Sequence, residues 1–213
     1  MPVTDVLDTD GQNGDTTLDR PSCPGSATYP PVMRLELVPV AALPRLAWAA
    51  RVAPGEPVVR VLHGSWVETR GDRFVEGAWD APFAEWAFAA SENLAGSGGV
   101  LVPGGILFAT PANMYERLHS VRTRDALYVS NSLAFVLALA GERLDPSHPH
   151  YYLDLLDHYR VGIRVKRKSL RLAGGAAVAL HDCCNVLVTP DARVARREKP
   201  WGPEPATYDD YAA

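Results

Sequence analysis

The run Gly96-Ser-Gly-Gly-Val-Leu-Val-Pro-Gly-Gly-Ile-Leu-Phe-Ala109 is the most informative stretch of the chain for its fold. It holds two short apolar segments, Val100–Val102 and Ile106–Ala109, on either side of Pro103-Gly-Gly105. Short apolar segments joined by a glycine-containing turn predict a β-hairpin that is buried on both faces. The glycines at 96–99 are interpreted as a further turn.

Other segments show the same β signal. Alternating or β-branched apolar residues predict three further strands: Arg34–Pro39, Val58–Val67 with a bulge at Gly64, and Leu127–Ser130. Arg70-Gly-Asp-Arg73 is typical of a hairpin turn. A late hairpin is predicted from Val178–Leu180 and Asn185–Val188, with His181-Asp-Cys-Cys184 as its turn.

Three helices are predicted between these strands. They are a short helix in the Ala/Leu-rich segment Val40–Ala50, limited by Pro44; a helix over Ser132–Ala140, capped by Ser130 or Asn131 and stopped by Gly141; and a helix over Pro149–Tyr159. The aromatic stretch Phe74–Phe88 receives no assignment. The sequence therefore predicts an α+β fold rich in strands.

Composition excludes several classes of protein. The chain has 213 residues, of which 47% are hydrophobic and 22% charged, as in an ordinary globular protein. No apolar stretch reaches the roughly 18 residues of a membrane span, and the N-terminus lacks the pattern of a secretory signal. The net charge of −4 argues against a nucleic-acid partner. A cytoplasmic location without membrane association is expected.

The two ends of the chain differ from its middle. Residues 1–31 hold five aspartates against the single base Arg20 and few large apolar residues, which predicts a disordered acidic leader. Met33 is an alternative start. At the other end, Thr207-Tyr-Asp-Asp210 matches a helix capping box only three residues before the sequence stops. Residues 203–213 are thus predicted to begin a further domain, with a frayed terminus as the alternative.

The stretch 125–213 resembles proteins of the asparagine synthetase family, in the region that joins the N-terminal glutaminase-type domain to the ATP-using synthetase domain. The resemblance lies in the order of five segments: Asp125–Ala138, Tyr151-Tyr-Leu153 after Leu144-Asp145, Ser169–Leu180, Lys199-Pro-Trp201 and Ala206–Tyr211. The third is similar to the family's I-x-x-L-x-P-G-x-x-L hairpin, with Ala173 in place of the proline. The resemblance implies an N-terminal-nucleophile-hydrolase-like fold, a sandwich of two antiparallel sheets flanked by helices, over residues 32–202.

The residues that the family's glutaminase chemistry requires are not present in the sequence. That chemistry uses a cysteine at position 2, whose thiolate attacks the amide while its α-amino group acts as base. Position 2 is Pro2, and Arg34 would follow Met33. The family's Arg-Gly-Pro-Asp and Asn-Gly-Glu segments are also missing, and Arg70-Gly-Asp72 lacks the proline. No catalytic, cofactor-binding or metal-binding residue is therefore assigned, and Cys23 would need proteolysis to become a nucleophile.

The resemblance further implies an ATP-dependent ligase that forms an amide or a lactam. Its ATP and Mg²⁺ would be bound by a Ser-Gly-Gly-x-Asp-Ser loop in the missing synthetase domain, because Gly96-Ser-Gly-Gly99 lacks both the Asp and the second Ser. The expected partner is that domain, in cis or in trans. The alternatives are a stand-alone scaffold that pairs with a separate synthetase, and an unrelated binding module lined by aromatic residues between Trp66 and Phe88.

Four other groups of residues were weighed as sites, and each has a simpler structural interpretation. His181-Asp-Cys-Cys184 is interpreted as a turn with one buried cysteine, because adjacent cysteines on a strand face opposite ways. The other groups are a histidine cluster (His148, His150, His158), a basic run over Arg160–Arg171, and serines without a Gly-x-Ser-x-Gly elbow (Ser65, Ser91, Ser130). They are interpreted as a polar helix surface, a solvated loop and ordinary serines.

Overall fold

The computed structural model describes residues 33–80, 82–113, 116–148, 150–153, 156 and 168–199. Within them the elements are β1 Arg34–Pro39, β2 Trp48–Val52, β3 Val58–His63, β4 Glu68–Arg70, β5 Arg73–Ala78, β6 Ala95–Val102, β7 Gly105–Ala109, β8 Leu118–Arg122, β9 Leu127–Ser130, α1 Leu133–Ala140, β10 Ser169–Arg171, β11 Ala177–His181, β12 Cys184–Val188 and β13 Val194–Glu198. The predicted leader, the predicted start of a synthetase domain and most of the predicted helix Pro149–Tyr159 lie outside the described residues.

The strands form two sheets. One has seven strands in the order β1-β3-β2-β9-β8-β11-β10, and the other has six in the order β13-β12-β7-β6-β5-β4. Every neighbouring pair is antiparallel except β1 and β3, which run parallel in the register Arg34↔Val58 to Pro39↔His63. The sheet-rich α+β class is as predicted, but the expectation of two purely antiparallel sheets is wrong at this edge.

The two sheets share one core, which holds them face to face. Trp48 on β2 stacks on Phe108 of the six-stranded sheet at 5.8 Å between ring centroids, and its ring meets the edge of Phe74 at 4.9 Å. Valines of β2, β3, β9 and β12 complete the same buried cluster. Since alternate residues of each strand point inward, this arrangement is a sandwich, with the aromatic cluster at its centre.

The outer face of each sheet is covered differently. Helix α1 packs on the seven-stranded sheet, where its buried Val136 joins a cluster with Val121 and Val178. Its predicted end at Ala140 before Gly141 is confirmed, but the helix begins one residue later than predicted and its N-cap is Ser132, which accepts a hydrogen bond from the Phe135 amide. On the six-stranded sheet the cover consists of two short 3₁₀ turns and the buried rings of Trp79 and Phe88. Among the described residues, therefore, an α-helix flanks one sheet and not the other.

The hairpin predicted from Val100–Val102 and Ile106–Ala109 is confirmed as β6 and β7. The glycines at 96–99, however, lie inside β6 and form no turn. A Cβ on Gly96 (φ +137) would lie 2.0 Å from the Glu76 carbonyl oxygen, and one on Gly99 would lie 2.7 Å from the Phe74 ring. The glycines are needed because the backbone of β5 and the Phe74 ring come too close for any side chain.

Two sequence predictions are wrong where the local pattern was ambiguous. The segment Val40–Ala50 is a series of turns followed by β2, which lies between β3 and β9 and is largely buried. Burial on both faces favours a strand here over the helix that its Ala and Leu content indicated. The predicted bulge at Gly64 is absent because β3 ends at His63. Gly64 instead allows a close approach of two backbone segments, since a Cβ there would lie 2.2 Å from the Pro44 carbonyl oxygen.

The predicted hairpin between Val178–Leu180 and Asn185–Val188 is also wrong. β11 belongs to the seven-stranded sheet and β12 to the six-stranded sheet, so the two residues between them carry the chain from one sheet to the other. Cys183 adopts a left-handed conformation there, with φ 49°. The hairpin that does form is β10 with β11, in the register Ser169↔Ala179 to Arg171↔Ala177.

Candidate functional site

A group of polar side chains links the two sheets beside the aromatic core, with Ser97 buried and Glu76 and Asn131 partly buried. We call Trp48, Glu76, Ser97 and Asn131 the Glu76 cluster. Glu76 on β5 and Ser97 on β6 are directly paired and share the inner face of their sheet. The Ser97 hydroxyl donates to Glu76 Oε1 at 2.7 Å and accepts from Trp48 Nε1 at 2.9 Å. Asn131 Nδ2 donates to the same carboxyl oxygen at 3.3 Å. These bonds connect β2 and the start of α1 to the opposite sheet.

Asn131 anchors the other side of the Glu76 cluster. Its Oδ1 accepts from the Trp48 amide at 3.0 Å, and its Nδ2 also donates to the Leu46 carbonyl at 2.9 Å. Next to it, Ser130 Oγ donates to the Trp48 carbonyl at 2.6 Å and accepts from the Ser132 amide at 2.9 Å. Ser130, one of the serines weighed from sequence, thus holds β2 against the helix start, which agrees with its structural interpretation.

Burial raises the pKa of the Glu76 carboxyl, and the hydrogen bonds from Ser97 and Asn131 oppose that rise. Ser97 is only 1% exposed, and its hydroxyl hydrogen is directed to Glu76. A substrate therefore has no access to a nucleophile here. The Glu76 cluster thus joins the two sheets through hydrogen bonds.

A second polar group opens into a cavity. Ser120 on β8 and His181 on β11 lie on the inner face of the seven-stranded sheet, with Ser120 Oγ 2.8 Å from His181 Nε2. They are 4% and 7% exposed, and burial lowers the pKa of His181 to about 4, so the imidazole is neutral at pH 7. A cavity of about 590 Å³ is lined by this pair and by Arg122, Leu127, Ala177, Ala179, Arg193 and Val194. We call it the inter-sheet cavity.

No local sequence pattern predicts that Ser120 and His181 form a pair. The two residues are 61 positions apart and come together only because β8 and β11 are neighbours. The pattern His181-Asp-Cys-Cys184 predicts a turn, whereas His181 is the last residue of β11. Strand pairing between distant segments is not encoded in any local spacing, so only the alternation of faces along β8 could have placed Ser120 inward.

The other groups weighed from sequence are dispersed. Cys184 is buried in the shared core and Cys183 is partly exposed, so one buried cysteine is as predicted although the hairpin turn is not. Within the described residues no three His, Cys, Asp or Glu side chains are arranged to hold a metal ion. His148 and His150 lie with ring centroids 6.4 Å apart. His158 and most of the basic run lie outside the described ranges.

The aromatic residues between 66 and 88 form no common platform. Trp79 and Phe88 are buried, and Phe83 stacks on Trp79 at 4.3 Å. Trp66 is 57% exposed, with the Arg45 guanidinium 4.6 Å from its ring centroid. Of the remaining serines, Ser91 is bonded to Asp80 and Ser65 is exposed.

The structure also bears on ATP. A phosphate-binding glycine loop presents free backbone N–H groups, but Gly96-Ser-Gly-Gly99 is paired along its length with β5, and its last two residues also pair with β7. These residues do not fit a nucleotide.

No helix in the described part of the chain is long and apolar enough to cross a bilayer. No family model, curated protein or solved structure matches this chain.

Proposed function

We propose that this chain is the degenerate, non-hydrolytic N-terminal domain of an asparagine-synthetase-like ligase. It would act as a structural cap on a synthetase domain that activates a carboxylate with ATP and Mg²⁺ and forms an amide or a lactam. The cap itself holds neither cofactor. Because such chemistry uses the cellular ATP pool, we propose a cytoplasmic location.

The observation that carries this proposal is the closed Glu76 cluster. Where β2, β5 and β6 face one another, the space between the sheets is filled by the Trp48 indole and hydrogen bonds that satisfy Ser97 and Asn131. A domain that keeps its sandwich but no longer hydrolyses glutamine is expected to fill its interior in this way. The strand–helix unit β9–α1 and the β10–β11 hairpin also lie in the segments that carry the sequence resemblance.

The first test is an activity assay on the purified chain. We expect no ammonia release from glutamine above the protein-free background, and no AMP or pyrophosphate from ATP with Mg²⁺ and free amino acids. Ammonia release that disappears in a Cys23→Ala variant would contradict the proposal, because it would show an exposed N-terminal-type nucleophile.

The second test concerns the partner. The DNA that follows codon 213 should encode, in frame or as a neighbouring gene, a polypeptide with a Ser-Gly-Gly-x-Asp-Ser loop. Co-expression of that polypeptide with this chain should give a one-to-one complex by light scattering, and removing the chain should make the synthetase insoluble or inactive. Absence of such a coding sequence, or a synthetase that is fully active alone, would contradict the cap function in either linkage.

A further inference from the structure

The inter-sheet cavity lies beside the inner face of β11, which carries two small side chains. Along the inner face of β11 the side chains are Ala177, Ala179 and His181, while the neighbouring β8 contributes Ser120 and Arg122. The two alanines have short side chains, and a volume of about 590 Å³ is open beside them at this edge. Pockets that enclose small ligands span roughly 300–1,000 Å³, and this cavity falls within that range.

The charged side chains that line the cavity have one sign, although Asp182 and Asp191 lie nearby. None of its described lining residues is acidic, whereas two are arginines. The Arg122 guanidinium donates to the Ala192 carbonyl, so its charge is not neutralised by that contact. Arg193 differs, since its Nε lies 2.7 Å from Asp191 Oδ2 in an ion pair. Arg196 on β13 adds positive charge near His181. The cavity thus favours an anion, chiefly through Arg122.

The Ser120–His181 pair, which lines the cavity, can also donate a hydrogen bond to a ligand. Burial and the Arg196 charge lower the pKa of His181, while the Asp182 charge raises it less, so the imidazole stays neutral at pH 7. In the tautomer that carries the proton on Nε2, the imidazole donates to Ser120 Oγ, and the serine hydroxyl hydrogen is then free to point into the cavity. The remaining walls, Leu127, Ala177, Ala179 and Val194, are apolar.

We propose that the inter-sheet cavity binds a small monocarboxylate with an apolar body. Its carboxylate accepts hydrogen bonds from the Arg122 guanidinium and from the Ser120 hydroxyl, two positions apart on the same face of β8. Its hydrocarbon part lies against the alanines of β11 and against Leu127 and Val194. Arginine suits this task because its planar fork matches a carboxylate and its charge persists at any physiological pH.

Three probes test the proposal by calorimetric titration of the full chain at pH 7.5. Hexanoate carries both the charge and the apolar body, 1-hexanol only the body, and sulfate only the charge. We expect hexanoate to bind at millimolar concentrations or below, and each other probe to bind at least about tenfold more weakly, since a hydrogen bond to a charged group contributes about 1.5–3 kcal/mol. Equal binding of sulfate, or no binding of hexanoate, would overturn the proposal.

Variants then locate the binding. Arg122→Gln should weaken hexanoate about tenfold and leave 1-hexanol unchanged, whereas Ala179→Leu should abolish binding of both by filling the cavity without altering its charge. Arg60→Gln is the matched control, because Arg60 is exposed on the same sheet, pairs with Glu36 and lies outside the cavity. Loss of hexanoate binding in Arg60→Gln, or its persistence in Ala179→Leu, would place the ligand elsewhere. Thermal unfolding of each variant shows that it is folded.

Discussion

Glu76 is the hydrogen-bond acceptor at the centre of the Glu76 cluster. Its carboxyl accepts hydrogen bonds from the buried Ser97 hydroxyl and from the partly buried Asn131 amide. Because burial raises its pKa, the carboxyl is more easily protonated than an exposed one, and an uncharged amide can replace it at small cost.

Substitution at Glu76 separates charge from hydrogen bonding. We expect Glu76→Gln to stay within about 1 kcal/mol of the native chain in urea unfolding at pH 7.5, because its amide oxygen can accept the same donors. Glu76→Ala should lose about 1–3 kcal/mol, since the buried Ser97 hydroxyl then loses its acceptor and Asn131 keeps only its bond to the Leu46 carbonyl. A Gln variant as unstable as the Ala variant would show that the negative charge itself is required.

Two histidines make stability depend on pH. Burial lowers the pKa of His119 and of His181 to about 4, from an unfolded value of 6.5. Between these values the unfolded chain binds more protons than the folded one, so stability present above pH 6.5 is lost as the pH falls towards 4. The loss amounts to about 3 kcal/mol for each histidine.

The pH prediction is tested by urea unfolding across pH 4–7, with a double variant, His119→Gln and His181→Gln, as the reference. The native chain should lose several kcal/mol more than the double variant over this window. Parallel curves for the two proteins would contradict it, because the pH dependence would then come from other groups.

At the scale of elements, the close approach of β5 and β6 depends on glycine. Gly96→Ala would place a methyl group 2.0 Å from the Glu76 carbonyl oxygen at φ +137, so the two strands must separate. We expect a loss above about 3 kcal/mol. Gly104→Ala is the matched control: it also has positive φ (+90) but nothing within 4 Å, and should lose only about 1 kcal/mol. If the two variants lose equal stability in thermal or urea unfolding, the positive φ angle, and not the close contact between β5 and β6, would account for the loss at Gly96.

Elements with a strong local signal could be predicted from the sequence, and those decided by burial could not. The β6–β7 hairpin has a Pro-Gly turn between apolar runs, and α1 has a serine at its start and Gly141 at its end. In contrast, β2 has the composition of a helix and becomes a strand through its place between β3 and β9. The link between β11 and β12 has the length of a hairpin turn, yet the two strands belong to different sheets.

At the scale of the whole molecule, two stacked sheets could be expected, but neither polar group between them could. The Glu76 cluster joins residues from four separate segments, and the Ser120–His181 pair joins two strands whose adjacency depends on the complete strand order. Local patterns set which face of a strand is buried, whereas strand order sets which buried faces meet. Polar groups formed between the sheets are therefore the part of this molecule that is hardest to predict from its sequence.

The parallel edge strand β1 also affects how the chain is made. Arg34–Pro39 leaves the ribosome before Val58–His63, and among the described residues β3 is its sole partner in the sheet. At roughly 5–20 residues per second, β1 waits on the order of seconds with its backbone unpaired while β2 and β3 form their own antiparallel ladder. The first strand of the described part of the chain is thus added to a partner synthesised after it, and a translational pause between codons 39 and 63 would prolong the time during which that edge is open to other chains.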